Sequence, residues 1–93
     1  SYKLLLKLFN GATVLNFTED KSGIYRLKIK NNCGLVEACW VNGGEHSIVV
    51  NSNQYAIEHT GKPCITEKSS LLRLTDDVVY VLDYPLPCGS YAN

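Results

Sequence analysis

Apolar and polar residues alternate with a period of two along most of this chain. Tyr25, Leu27 and Ile29 fall on one side of the pattern, and Arg26, Lys28 and Lys30 fall on the other. Successive residues of a β-strand point to opposite faces of a sheet, so this period predicts half-buried strands. Turn residues separate about eight such segments. They are 2–8, 13–17, 24–30, 35–41, 47–50, 55–59, 71–75 and 78–84.

The pattern predicts an all-β fold in a single domain that spans residues 1–93. Short strands separated by frequent turns are typical of a β-sandwich or a small barrel. Residues 1–20 are expected to add an N-terminal hairpin, because Asn10-Gly11 favours the tight turn between two strands. Residues 89–93 are predicted to be a mobile tail.

Composition narrows the class of protein. The chain is 45% hydrophobic and 19% charged, which is typical of a globular protein. Its net charge is zero, which favours neither a nucleic acid nor a membrane as partner. The sequence starts at Ser1 and contains no Met, as expected of a secreted product that has lost its signal peptide or of a trimmed chain.

The four cysteines are Cys33, Cys39, Cys64 and Cys88. An even number in a short chain indicates two disulfides and an oxidising compartment, and the residues alone allow three pairings. Zinc sites use closely spaced ligands, and this chain has no Cys-x-x-Cys motif. We therefore predict no metal and no cofactor.

One motif resembles a known family. The segment 39–45, Cys-Trp-Val-Asn-Gly-Gly-Glu, has the Cys-x-x-x-Gly-Gly-Glu form that precedes the third strand of ToxB-like proteins. Two predicted strands follow it, and Cys64 lies just after the second. Segments 24–30, 35–41, 71–75 and 78–84 match the remaining strands. Over residues 23–88 the chain is therefore similar to the MAX effectors, which include ToxB-like toxins and blast-fungus avirulence proteins.

The resemblance implies a function and a disulfide pattern. It implies that residues 23–88 form a small six-stranded antiparallel β-sandwich, stapled by a Cys39–Cys64 bridge, with Cys33–Cys88 as the second bridge. Members of the family are secreted during plant infection. Several bind host proteins, some of them small heavy-metal-associated domains, and none is known as an enzyme. We therefore expect a monomeric, non-catalytic fungal virulence effector that is secreted and binds a host plant protein. Translocation into the host cell is left open.

The expected binding surface is centred on the strand 35–41. If this strand lies at a sheet edge, a partner strand can be added to it, and the other expected mode is face-to-face docking. An outward-facing Trp40 would anchor the partner. The alternative is that Trp40 packs beneath the N-terminal hairpin. Arg26, Lys28 and Lys30 form a basic stripe that either meets an acidic partner or is simply solvated. The predicted partner-binding residues are Leu35, Glu37, Trp40, Arg26, Lys28 and Lys30.

Two other functions are weighed. A killer-type toxin would act on membranes or channels. A small ribonuclease could use His46, Glu58, His59 and Arg73, although consecutive Glu58 and His59 on one strand would point to opposite faces. Asn16-Phe17-Thr18 is also a glycosylation sequon, which is either a chance match or a modified site.

Overall fold

The computed structural model describes residues 2–64 and 70–86, with side chains from Leu6 onward. This part of the chain forms one helix and seven strands, all paired antiparallel. The helix α1 is Tyr2–Phe9. The strands are β1 (Thr13–Glu19), β2 (Ile24–Lys30), β3 (Leu35–Val41), β4 (His46–Val49), β5 (Tyr55–Glu58), β6 (Leu71–Leu74) and β7 (Val79–Leu82).

The strands form a large sheet and a small one. The large sheet has the order β1-β2-β3-β7-β5, and the small sheet pairs β4 with β6. The all-β class is therefore confirmed. The predicted six-stranded sandwich with an N-terminal hairpin is wrong in detail, because the seven strands are divided into a sheet of five and a sheet of two, and a helix precedes the first strand.

Both faces of the large sheet carry apolar clusters. The helix face packs Leu8 of α1 against Ile29, Val36, Tyr80 and other residues of the large sheet. The small-sheet face packs Cys39, Val41, Val79 and Val81 against the β4–β6 pair. The strands β3 and β7 lie in the middle, and every residue of β7 is buried. A strand that is buried on both faces needs a continuous apolar run, which the segment 78–82 supplies.

The first predicted strand is instead the helix α1. Its sequence alternates, but it also places Lys3 and Lys7 four residues apart and contains no β-branched residue. Leu and Lys are strong helix formers, so this composition favours a helix. Asn10-Gly11 then ends the helix: the Asn10 N–H donates to the Leu6 carbonyl, and Gly11 takes a φ of 68°. A left-handed glycine after the last turn is a common helix C-cap, not a hairpin turn.

The predicted Cys39–Cys64 disulfide is absent, since both residues are free thiols. Cys39 lies on β3, whereas the Cys64 N–H bonds to Ala56 on the far side of β5. Because β7 and β5 lie between the two residues, three strand spacings of nearly 5 Å each separate them, which is roughly 14 Å in the sheet. A disulfide needs Cα atoms within about 7 Å.

Cys33 is disulfide-bonded. Cys88, its predicted partner, lies outside the described residues, and so does the predicted tail 89–93. The Cys33–Cys88 pairing therefore stays a prediction.

A buried asparagine fixes the helix to the large sheet. Asn31, in the β2–β3 turn, is 6% exposed. Its Nδ2 donates to the Leu8 carbonyl and the Tyr84 hydroxyl, both at 2.9 Å. Its Oδ1 accepts from the N–H groups of Cys33 and Gly34. A buried amide with its donors and acceptor satisfied in this way costs little and orients α1 on the sheet.

Candidate functional site

The strand β1 forms an exposed edge of the large sheet. It pairs with β2 on one side, and on the other side no described residue hydrogen-bonds to its backbone. All seven of its residues are exposed. Val14, Leu15 and Phe17 are exposed to 63%, 49% and 54%, so this edge is apolar as well as open. An edge of this kind is a template for another strand.

Three aromatic rings flank this edge on the helix face. Trp40 of β3 stacks on Tyr25 of β2, with ring centroids 5.5 Å apart and planes 6° apart. Phe17 of β1 lies 6.1 Å from Trp40 and 6.3 Å from Tyr25, and its plane is inclined by only 23° and 19°. The pairing register explains the arrangement, since Tyr25 lies opposite Trp40 and Phe17 lies diagonal to Tyr25. We call Phe17, Tyr25 and Trp40 the aromatic cluster.

A hydrogen bond holds Tyr25 in the aromatic cluster. The Tyr25 hydroxyl donates to Glu19 Oε2 at 2.9 Å across the β1–β2 pair. This bond and the charge of the carboxylate raise the pKa of Tyr25. The hydroxyl therefore stays protonated and keeps donating, which fixes the ring against Trp40 and Phe17.

The predicted basic stripe lies on the opposite, small-sheet face. Arg26 forms an ion pair with Glu37 at 3.1 Å. Lys28 and Lys30 are exposed and form no ion pair with a described residue. Lys28 pairs with Asn16 of β1, so its charge lies one strand in from the open edge. The two lysines are thus available to an acidic group that approaches this edge.

The strand β3 is not a sheet edge, so the predicted addition of a partner strand at 35–41 is wrong, whereas the predicted face-to-face docking is not affected. It pairs with β2 along its whole length and with β7 from Val36 to Cys39. Its two ends are also bonded, because the Val41 N–H donates to Thr75 and the Leu35 carbonyl accepts from Asp83. A partner strand cannot be added to it.

The predicted binding residues separate into two groups. Leu35 is exposed, and Glu37 is half-buried in its ion pair with Arg26. Trp40 is half-buried on the helix face, where it packs against the N-terminal segment through Phe17. The described residues form no N-terminal hairpin for Trp40 to pack beneath, and the ring stacks on a side chain of β1 instead. Within 2–64 and 70–86, the register places Trp40 on one face of the large sheet and the basic residues on the other. A partner can therefore contact both groups only along the edge strand β1.

A second site brings together most of the predicted ribonuclease residues. Glu58, His59 and Arg73 line one cleft of about 320 Å³. The expectation that Glu58 and His59 point to opposite faces fails, because β5 ends at Glu58 and His59 belongs to the following turn. His46 does not line this cleft and lies at the start of β4. Arg73 also forms an ion pair with Glu45.

The free thiols are poor nucleophiles. Burial, followed by the charge of Glu37, raises the pKa of Cys39 to about 12. Burial and then the charge of Glu58 raise the pKa of Cys64. Both sulfurs are therefore protonated at neutral pH, whereas nucleophilic cysteines need the thiolate.

In residues 2–64 and 70–86, no three His, Cys, Asp or Glu side chains are grouped so that they could hold a metal ion. In the same ranges, no helix is both long and apolar enough to cross a bilayer.

No known family, curated protein or solved structure gives a significant match to this chain. The candidate site therefore depends on its geometry alone. Sequence reasoning overlooked Val14, Leu15 and Phe17, which form its apolar rim. The available signal was the mixed pattern of β1, where Phe17 stands between the polar residues Asn16 and Thr18.

Proposed function

We propose that this protein is a binding protein that docks an extended strand of another protein along β1. The observation that carries this proposal is the edge itself. It has seven exposed residues, three of them large and apolar, and no described residue pairs with the backbone on its outer side. Strand addition supplies backbone hydrogen bonds, and side chains on alternate positions supply specificity.

The two faces beside β1 define the chemistry of the partner. Toward the helix face, Val14 and Phe17 favour apolar residues, and the aromatic cluster extends this apolar surface. Toward the small-sheet face, Lys28 and Lys30 favour acidic residues. A residue opposite Asn16 on the added strand would lie about 10 Å from Lys28 between Cα atoms, within the joint reach of Lys and Glu side chains. The partner strand should therefore alternate apolar and acidic residues.

The same charges disfavour a second copy of this chain as partner. In an antiparallel β1–β1 pair, the small-sheet faces of the two copies would be continuous. Lys28 and Lys30 of the two copies would then share one face at three strand spacings, roughly 14 Å, where their screened repulsion opposes pairing weakly.

For the biological role, we propose a secreted fungal virulence effector whose partner is a host plant protein, as the resemblance to the MAX effectors implies. The β1 edge would replace the strand 35–41 as the docking strand. Small heavy-metal-associated domains are the proposed class of host target, and the protein would act as a monomer without catalysing a reaction.

The direct test uses a seven-residue peptide of alternating glutamate and valine, which matches the length of β1. We expect it to change the fluorescence of Trp40, the only tryptophan, in a saturable manner. A valine–lysine peptide of the same length is the matched control and should bind at least tenfold more weakly. Equal binding of both peptides, binding of neither, or a concentration-dependent dimer in sedimentation would contradict the proposed partner.

The host target requires a second experiment. A photoreactive residue at position 15 in β1 is compared with one at position 55 in β5 in extracts of plant leaf. The proposal predicts a protein crosslinked from position 15 alone, through an extended acidic–apolar segment. That protein, once purified, should bind the wild type and lose affinity for Phe17→Ala. Crosslinks from both positions, or none from position 15, would contradict it.

A ribonuclease is the second candidate, because one cleft contains Glu58, His59 and Arg73. A carboxylate and an imidazole can serve as base and acid in RNA cleavage, and a guanidinium can hold a phosphate. If this candidate is correct, His59→Ala should abolish cleavage of a short RNA while His46→Ala retains it. Equal cleavage by the two variants would eliminate it. No observation favours the killer-type toxin.

A further inference from the structure

The sequon Asn16-Phe17-Thr18 lies in the middle of β1. Asn16 and Thr18 are exposed and two residues apart on the strand, so both project onto the small-sheet face. The side-chain amide of Asn16 has no hydrogen-bond partner among the described residues. The acceptor side chain is therefore accessible and uncommitted, as N-glycosylation requires.

We propose that Asn16 accepts an N-linked glycan, and that this glycan and a partner strand exclude each other at β1. The inference depends on the proposed function, since it assigns that same edge a means of control. In the transfer, the side-chain amide nitrogen of Asn16 forms a bond to C1 of the first sugar. The bond from C1 to the diphosphate of a lipid-linked oligosaccharide donor breaks. The lipid diphosphate leaves, and the amide nitrogen loses one proton.

The pairing register explains why the glycan would exclude the partner. Asn16 lies opposite Lys28 on β2. On a strand added outside β1, the residue opposite Asn16 would project onto the same face, with Cβ atoms about 5 Å apart. A glycan on Asn16 would stand between Lys28 and the acidic residue that Lys28 is proposed to meet.

The glycan would also protect the edge when no partner is bound. Proteins shield exposed edge strands with charges, prolines, bulges or covering segments. In β1 the structure has two such devices, the irregularity in pairing between Val14 and Asn16 and the charge of Glu19 at the end of the strand. A bulky, hydrophilic glycan that projects from the centre of the strand on the small-sheet face would hinder another strand from reaching the open backbone groups of β1.

Occupancy is tested by intact-mass analysis of the protein secreted from a eukaryotic expression host. We expect the wild type and Thr18→Ser, which keeps the sequon, to carry a glycan on Asn16. Thr18→Ala, which keeps Asn16 but loses the sequon, should carry none. A wild-type protein that is secreted without any glycan at Asn16 would overturn the acceptor role.

Exclusion is tested by titrating the glutamate–valine peptide against separated glycosylated and unglycosylated protein. We expect the glycosylated form to bind at least tenfold more weakly. Enzymatic removal of the glycan leaves aspartate at position 16, so the treated protein is compared with Asn16→Asp and should bind as that variant does. Equal binding by the glycosylated and unglycosylated forms would overturn exclusion.

The two proposals fail in different ways. If Thr18→Ala, which has no glycan, does not bind the peptide, the proposed function fails and exclusion fails with it. The mass of the secreted wild type still decides the acceptor role separately. If Thr18→Ala binds and the glycosylated wild type binds equally well, only the inference about the glycan fails.

Discussion

The large sheet ends in two edges that are treated differently. At β5 the segment 62–64, which we call the β5 cover, runs back along the outer side of the strand. The Glu58 N–H donates to the Lys62 carbonyl at 2.8 Å, and the Cys64 N–H donates to the Ala56 carbonyl at 2.9 Å. Pro63, which bridges Ile57, lacks an N–H to offer to a further strand. At β1 no described residue forms a comparable cover.

This difference indicates where a partner would add a strand. Both edge strands carry exposed apolar side chains, such as Phe17 on β1 and Tyr55 on β5. Exposure of apolar groups therefore does not distinguish the edges. What distinguishes them is the backbone, since the hydrogen-bonding groups on the outer side of β5 are partly occupied and those of β1 are open. The predictions below test this contrast, from the largest expected effect to the smallest.

The largest effect is expected from removing the Phe17 ring. Phe17→Ala should weaken binding of the glutamate–valine peptide about tenfold, equivalent to about 1.4 kcal/mol. The ring contributes exposed apolar area at the edge and stacks on Tyr25 and Trp40. Isothermal calorimetry measures the affinity, and Tyr55→Ala on β5 is the matched control, with no expected change. Equal losses for both variants would remove the distinction between the edges.

A charge reversal at Lys28 should sharpen the contrast further. Lys28→Glu should weaken the glutamate–valine peptide about fivefold, because a partly screened surface charge contributes roughly 1 kcal/mol. It should also strengthen binding of the valine–lysine peptide. Lys62→Glu, an exposed lysine in the β5 cover, should change neither affinity. If Lys28→Glu leaves both affinities unchanged, the acidic character proposed for the partner is wrong.

The β5 cover can be loosened through its turn. Gly61 has a φ of 95° and donates its N–H to the Glu58 carbonyl. A side chain is strained in this conformation, so Gly61→Ala should lower the free energy of unfolding by about 1–2 kcal/mol. Amide exchange at Glu58 and Cys64 should accelerate, while exchange in β1 should not. Lys62→Ala is the control, and similar exchange in the two variants would show that the cover does not depend on this turn.

The smallest effect concerns the turn that attaches β1 to β2. Asp20 Oδ1 accepts hydrogen bonds from the Ser22 hydroxyl and from the N–H groups of Ser22 and Ile24. These bonds, led by that of the Ser22 side chain, lower the pKa of Asp20 below 3.8. The ionised carboxylate therefore stabilises the folded state above pH 3.8, and this stabilisation is lost as the pH falls through the lowered pKa.

Thermal melts from pH 7 to pH 2 test this dependence. Asp20→Asn should be slightly less stable than the wild type at pH 7, and the difference should shrink at pH 2. Asp76→Asn, in the loop between β6 and β7, should not show this pattern. A constant difference between Asp20→Asn and the wild type across the range would contradict the role of the carboxylate.

The sequence predicted which side chains share a face of a strand better than it predicted which strands pair with each other. The alternation in Ile24–Lys30 correctly separated Tyr25 from Lys28, and that in Leu35–Val41 separated Cys39 from Trp40. An alternation with a period of two shows which side chains share a face, but it carries no information about which strands pair. The insertion of β7 between β3 and β5 was therefore not predicted.

That missing order accounts for two of the errors. The sequence leaves open whether Leu35–Val41 lies at an edge, and the resemblance implies a Cys39–Cys64 bridge between residues that two strands separate. One signal was available, since the continuous apolar run 78–82 is typical of a strand buried on both faces. The helix α1 was missed because alternation in a short leucine-rich segment resembles a strand, although its composition favours a helix.

The measurement that tests the central claim most directly is amide-resolved NMR, recorded as the glutamate–valine peptide is added to isotope-labelled protein. The account predicts that alternate amides of β1 shift and become protected from exchange, while those of Glu58 and Cys64 stay unchanged. Shifts confined to the β5 cover, or an absence of protection in β1 at saturating peptide, would contradict the assignment of β1 as the docking edge.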